Sequence, residues 1–181
     1  MTRIEKYGVF CRSWEGGWSN HPDDAGGATM KGVTYKRFCE FRRSKGLPKP
    51  SLLDLRNITD KEWNSVLRQG FWDVIKADQI ESEWVTYLLV DCIWMSGTGY
   101  IKKVQTIIGV KADGKVGAKT LAALNAFDQK SLFNILWKQR ENNLRYIATL
   151  RNNKVFLAGW LRRLNSISYG KLTCNGGKII T

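Results

Sequence analysis

Glu15 is the side chain in this sequence with the clearest opportunity to act as an acid. Trp14 precedes it, and Gly16 and Gly17 follow it. Cleaving a glycosidic bond requires a proton for the leaving oxygen and relief for the positive charge that grows on the sugar. A glutamic acid kept neutral supplies the first. Apolar neighbours and the end of a helix can desolvate a carboxyl and favour its neutral form. Two glycines let backbone and substrate approach each other closely. The competing reading is a solvated glutamate at a helix terminus, which is where most glutamates sit.

The elements that must position this group follow from periodicity. Apolar residues at Ile4, Tyr7, Phe10 and Cys11 predict a helix over residues 3–14, ending at Glu15. The stretch EGGWSNHPDDAGGATMKGVT, residues 15–34, has no helical period. It reads as a long structured loop holding at most a small hairpin, and loops of that length inside a compact domain are usually functional. Further helices are predicted over 34–45, closed by Gly46 and Pro48, and as a short turn over 51–55. Thr59 and Glu62 have capping-box spacing, so a helix should start near Asp60 and run to about Gln69. A short helix is expected over 71–78 and a buried apolar helix over 81–96. Asp91 stands alone in that apolar run, where it should pair with a buried Lys or Arg or cap backbone groups. Helices over 100–108, 118–127, 131–150 and 155–167 complete the pattern, with a turn at 113–117. The sequence ends in TCNGGKIIT, read as a loose tail. No segment alternates with period two. The expected fold is all-α, with residues 1–90 and 91–170 as two parts packed into one unit and 171–181 as the tail.

Composition limits the function classes. A 43% hydrophobic content over 181 residues supports a real core. The excess of 29 Lys and Arg over 16 Asp and Glu, net +13, favours polyanionic partners. Nucleic acid is one and a bacterial wall with its stem carboxylates is another. The basic residues are scattered, however, and no recognition signature for DNA or RNA accompanies them. His21 is the sole histidine, and Cys11, Cys39, Cys92 and Cys174 have no metal-ligand spacing, so neither a metal nor another cofactor is expected. The cysteines read mostly as buried free thiols. Residues 84–95 are too short an apolar run to cross a bilayer. The first ten residues lack the apolar stretch of a secretory leader, which fits synthesis in the cytoplasm.

The run Glu15-Gly16-Gly17-Trp18, with Asn20, Pro22, Asp24, Gly26, Gly27, Thr29, Gly32, Val33 and Thr34, resembles the signature of glycoside hydrolase family 108. Residues 91–127, with Asp91, Ser96-Gly97, Gln105, Gly109-Val110, Asp113-Gly114, Gly117 and Thr120-Leu121, resemble the peptidoglycan-binding module that often follows it. Two departures stand out: Trp18 replaces the family's tyrosine, and His21 replaces the acid before the proline.

The resemblance implies a lysozyme-like helical fold and N-acetylmuramidase activity on peptidoglycan glycan strands, with Glu15 as the essential acid. The order acid, Asp, Thr is also that of phage lysozymes, which implies that Asp24 and Thr29 hold the attacking water. Asp24 reads equally well as a loop cap, and Thr29 as structural. Trp18, Asn20, Gly26, Gly27 and Thr34 become candidate substrate contacts, and Asp113 and Gly114 candidates in the wall-binding part. A monomer acting on the wall fits these features, either encoded by a phage or prophage for lysis or used by a bacterium to remodel its own wall. A wall-binding protein without turnover and a basic nucleic-acid-binding protein are the alternatives.

Overall fold

The computed structural model describes residues 1–20, 27–150 and 153–181. They form two compact units, Met1–Asp73 and Val74–Thr181.

In the first unit, α1 (Arg3–Trp14) begins in a capping box that the hydrophobic pattern alone did not reveal. The Thr2 side chain accepts from the Glu5 amide, and the Glu5 carboxylate accepts from the Thr2 amide. Tyr7, Phe10 and Cys11 are buried on one face, and Glu15 is the C-cap. A two-stranded hairpin follows, β1 (Thr29–Met30) and β2 (Val33–Thr34), paired antiparallel. Its turn is Lys31-Gly32, both at positive φ, which is the pattern whose twist suits a two-residue hairpin. Next come α2 (Tyr35–Ser44), α3 (Leu52–Arg56) and α4 (Asp60–Leu67). The capping box expected at Thr59 and Glu62 is present. Arg42 on α2 ties to Glu62 on α4 through a 3.1 Å ion pair.

The predicted helix over 71–78 is not formed as one piece. The chain leaves α4 through a π-helical turn, Arg68–Trp72, then makes two short 3-10 turns, Asp73–Ile75 and Ala77–Gln79. Lys76 between them is left-handed (φ 51°), which breaks helical continuity. At Gly70 a Cβ would lie 3.5 Å from the Arg37 side chain, so the π turn seats that arginine against Phe71.

The second unit is built on α5 (Glu83–Ser96), buried without interruption from Val85 to Ile93. α6 (Tyr100–Ile107), α7 (Ala118–Ala126), α8 (Gln129–Thr149) and α9 (Leu157–Asn165) follow, with α8 packed on both α5 and α9. A 3-10 turn, Asn153–Phe156, occupies what the periodicity read as the first turn of the last helix.

The segment expected to be a loose tail is instead a sheet. β3 (Ile167–Ser168), β4 (Lys171–Thr173) and β5 (Ile179–Ile180) pair antiparallel in that order, with Leu172, Cys174 and Ile180 buried. Three apolar positions scattered among Gly and Lys gave no periodic signal, yet each is buried in the folded chain.

The interior is mostly aliphatic and aromatic. All four cysteines are free, and Cys39 alone of them is half-exposed. Burial pushes the Cys92 thiol up to about 12, as an inert core thiol requires. Of the eight tryptophans, Trp63 and Trp72 are fully buried and the other six are half-buried. No helix among the described residues is long and apolar enough to cross a membrane.

Asp91 pairs with a buried cation, as its isolation in α5 suggested. Arg163 on α9 donates from Nη2 at 2.8 Å and from Nε at 3.0 Å to Asp91 Oδ1, and both side chains are almost fully buried. Breaking such a pair leaves one charge without its counterion in a low-dielectric site. Arg163→Met should therefore destabilise the protein by about 3–5 kcal/mol. Urea denaturation should show this as a lower midpoint, and adding Asp91→Leu should recover much of the loss; an unchanged midpoint in the single mutant would contradict it.

Candidate active site

Glu15 caps a helix whose anchoring is unusually complete. Its amide donates to the Arg12 carbonyl at 3.3 Å, and its side chain is half-buried. The Cys11 thiol, one turn earlier, reaches Glu15 Oε1 at 3.9 Å as a weak sulfur donor. Trp14 lies against Phe10 at a ring separation of 6.4 Å, which covers the apolar side of the helix end.

Trp63 on α4 fixes α1 and the hairpin together. Arg12 Cζ stacks over the Trp63 ring at 4.7 Å, and Arg12 Nη1 donates to Asn64 Oδ1 at 2.7 Å. Gly8 faces the same helix; a Cβ there would already sit 3.7 Å from Trp63 Cζ3 and from Leu67 Cδ2. The Trp63 indole N–H donates to the Lys31 carbonyl at 2.8 Å, so the hairpin turn is pinned by the residue that carries α1. The sequence reading passed over Trp63. Its position one residue after a capping-box Glu, in the first turn of a short amphipathic helix, was the available signal.

Gly16 and Gly17 behave differently from a packing glycine. Both are exposed, neither has positive φ, and a Cβ on either would meet no described atom within 4 Å. The backbone beside Glu15 thus borders open space, and nothing among the described residues fills it.

The loop that follows is closed at its ends. Ser19 and Thr29 exchange backbone hydrogen bonds at 2.9 and 2.8 Å, and Tyr35 N–H donates to the Ala28 carbonyl at 2.8 Å. The Thr29 hydroxyl donates to the Gly27 carbonyl at 3.1 Å, which shapes the returning strand and leaves its lone pairs as acceptors. Gly27 is left-handed (φ 65°), a conformation that any side chain would strain. The Thr34 hydroxyl accepts from the Arg37 amide at 3.3 Å as the N-cap of α2. Trp18 is half-buried with Arg56 Cζ 6.0 Å from its ring centre, and Asn20 is exposed. Asp24 and Gly26, and with them the separation of the two carboxyls, lie outside the described residues.

A groove of about 510 Å³ is lined by Asn20, Gly27, Tyr35 and Cys39 with three cations, Lys36, Arg43 and Lys49, and one carboxylate, Glu40. The Cys39 thiol beside Tyr35 raises that phenol above its ordinary range. The cations were legible as charge in the sequence, but their gathering on one groove was not.

Asp113 and Gly114 form a turn organised by Gln105, which is almost fully buried. Its amide nitrogen donates to Asp113 Oδ1 at 3.0 Å, to the Lys115 carbonyl at 3.0 Å and to Thr120 Oγ1 at 3.3 Å. Its carbonyl accepts the Gly114 N–H at 2.7 Å. Gly114 is left-handed (φ 80°). The Lys115 amide, and then the Gln105 amide, hold the Asp113 carboxyl below the usual carboxylate range. This is a self-satisfied turn whose polar groups point at one another. No group of three or more metal-ligating side chains is found among the described residues.

A mainly helical protein with an acid at a helix end and a hairpin loop beside it is of the lysozyme-like class. Residues 10–97 match the family model Glycosyl hydrolase 108, and residues 100–165 match the model Predicted Peptidoglycan domain. The chain carries the two domains in that order. It is similar to SagA from Brucella abortus, whose solved structure superposes with a TM-score of 0.75 at 28% identity over 91% of this chain and 90% of that one. A search of curated proteins finds no match. The chain is a glycoside hydrolase that acts on peptidoglycan.

Trp63→Phe keeps the ring and deletes the indole N–H. We expect a loss of about 0.5–1.5 kcal/mol, the usual net worth of one hydrogen bond. Amide exchange at Ser19 and Thr29 should speed up more than exchange within α1. Unchanged exchange at both would mean that Trp63 does not hold the hairpin.

Proposed function

We propose that this protein is an N-acetylmuramidase that hydrolyses the β-1,4 bond between N-acetylmuramic acid and N-acetylglucosamine, with Glu15 as the general acid. The observation that carries this reading is the open backbone at Gly16 and Gly17 beside a half-buried Glu15 on an anchored helix. A sugar ring can approach the backbone there without displacing a side chain of the described residues. The family supports hydrolysis of peptidoglycan, and the Glu-Gly-Gly-Trp run supports Glu15 as its acid.

In this scheme Asp24 is the second carboxylate and orients the attacking water with the lone pairs of Thr29. Trp18, Asn20, Gly26 and Gly27 contact the glycan. Thr34 serves by capping α2 and so holding β2. Asp113 and Gly114 shape the wall-binding part through the Gln105 turn. Functionally, the catalytic part ends near residue 97 and the wall-binding part begins near residue 100, in step with the two family models. The protein works as a monomer and needs no cofactor. Its surplus of basic residues draws it to the carboxylates of the wall.

Glu15→Gln keeps shape and removes the transferable proton. Clearing of a purified wall suspension should fall by at least roughly two orders of magnitude, the worth of a positioned acid, while the circular dichroism spectrum and wall pelleting stay as in the parent. Wild-type-like clearing would sink the assignment. Mass spectrometry of the released muropeptides should find N-acetylmuramic acid at the reducing end; N-acetylglucosamine there would make the enzyme a glucosaminidase.

Asp24→Asn should lower turnover by roughly two to four orders of magnitude with little change in melting temperature. A much lower melting temperature with full activity in the remaining folded fraction would instead make Asp24 a loop cap.

A further inference from the structure

The second unit carries a groove unlike the cationic one of the first. It holds about 440 Å³, within the usual range for a small-ligand site, and is lined by Phe133, Asn134 and Trp137 of α8, Asn165 of α9, and Ser168 and Tyr169 at the end of β3. None of these side chains carries a charge, on a chain whose net charge is +13. Tyr169 stands at the corner of the β3–β4 turn, 39% exposed, with its ring edge-on to Phe133 at 5.6 Å. The Trp137 indole N–H donates to the Leu164 carbonyl at 3.3 Å, which sets the ring's orientation while the side chain stays half-exposed. The amides of Asn134 and Asn165 are exposed and have no hydrogen-bond partner among the described residues.

From this arrangement we infer that the groove binds the neutral glycan strand, through N-acetylhexosamine units, as a second site separate from the hydrolytic one. Fixed aromatic faces carry partial negative charge and suit the C–H-lined face of a pyranose ring. Carboxamides can donate and accept at once, which matches the hydroxyl and acetamido groups around that ring. A site for stem peptides would need cations for their carboxylates, and this groove has none. The inference rests on the reading that the protein works on peptidoglycan, but not on the role of Glu15. It moves wall recognition away from the Asp113-Gly114 turn, whose polar groups are already engaged with one another.

The test uses the full chain carrying Glu15→Gln, so that hydrolysis does not consume the probe. The ¹⁵N-labelled protein is titrated with tetra-N-acetylchitotetraose and, separately, with a stem tetrapeptide. The Trp137 indole signal and the Asn134 and Asn165 side-chain amides should shift with the tetrasaccharide and stay still with the peptide. Tyr169→Ser and Asn134→Ala, both at exposed positions, should each weaken that site by roughly five- to tenfold, as losing about one contact of 1 kcal/mol would. Either variant, placed in the protein with Glu15 intact, should cleave a short soluble oligomer at the parent rate while losing retention on walls. The inference is overturned if the tetrasaccharide leaves the three signals unmoved, if the peptide alone moves them, or if both variants bind as the parent does. Failure of the Glu15 assignment would appear separately, as clearing activity retained by Glu15→Gln.

Discussion

Trp63 is the contact on which the geometry around Glu15 depends. A fully buried indole has one polar atom to satisfy, and here that atom reaches the hairpin turn at Lys31. Its ring face takes the Arg12 guanidinium, and its edge lies beside α1 at Gly8. One side chain therefore sets α1, α4 and the hairpin relative to each other. Glu15 at the end of α1 and Thr29 at the start of β1 inherit their positions from it.

The loop between these anchors is constrained at its ends. The Ser19–Thr29 bridge and the Tyr35–Ala28 hydrogen bond clamp the chain on both sides, and the positive-φ turn at Lys31-Gly32 directs the return strand. Glycine is used there in two ways. At Gly27 and Gly32 it supplies backbone angles; at Gly16 and Gly17 it supplies room. The second use has no internal beneficiary among the described residues, which is why it bears on a ligand.

The second unit solves a different problem. α5 is buried from Val85 to Ile93, so a charge within that run needs a buried partner, and Arg163 from α9 provides one for Asp91. Gln105 does the same for the Asp113-Gly114 turn, satisfying the turn's groups with a single side chain. Once these polar groups are internally matched, they are unavailable to a ligand. The two grooves differ in their lining: one has charged side chains, with three cations against one carboxylate, and the other has aromatics and amides.

Much of this architecture was determined by sequence alone, because it depends on neighbours along the chain. The helix ending at Trp14, the capping box at Thr59 and Glu62, the buried α5 and the need of Asp91 for a cation all follow from local spacing and solvation. The Glu-Gly-Gly-Trp run likewise marks the candidate acid without reference to any fold. What lay beyond the sequence depends on groups far apart in the chain. That Arg163, and not another base, meets Asp91 is decided by how α9 packs. That Trp63 reaches Lys31 requires two elements to meet, and no periodicity encodes it. The strands at 171–173 and 179–180 have too few apolar residues to announce themselves, and each is defined by its pairing with another strand. Local chemistry is written in short spacings, whereas a buried partner exists only after the chain has closed on itself.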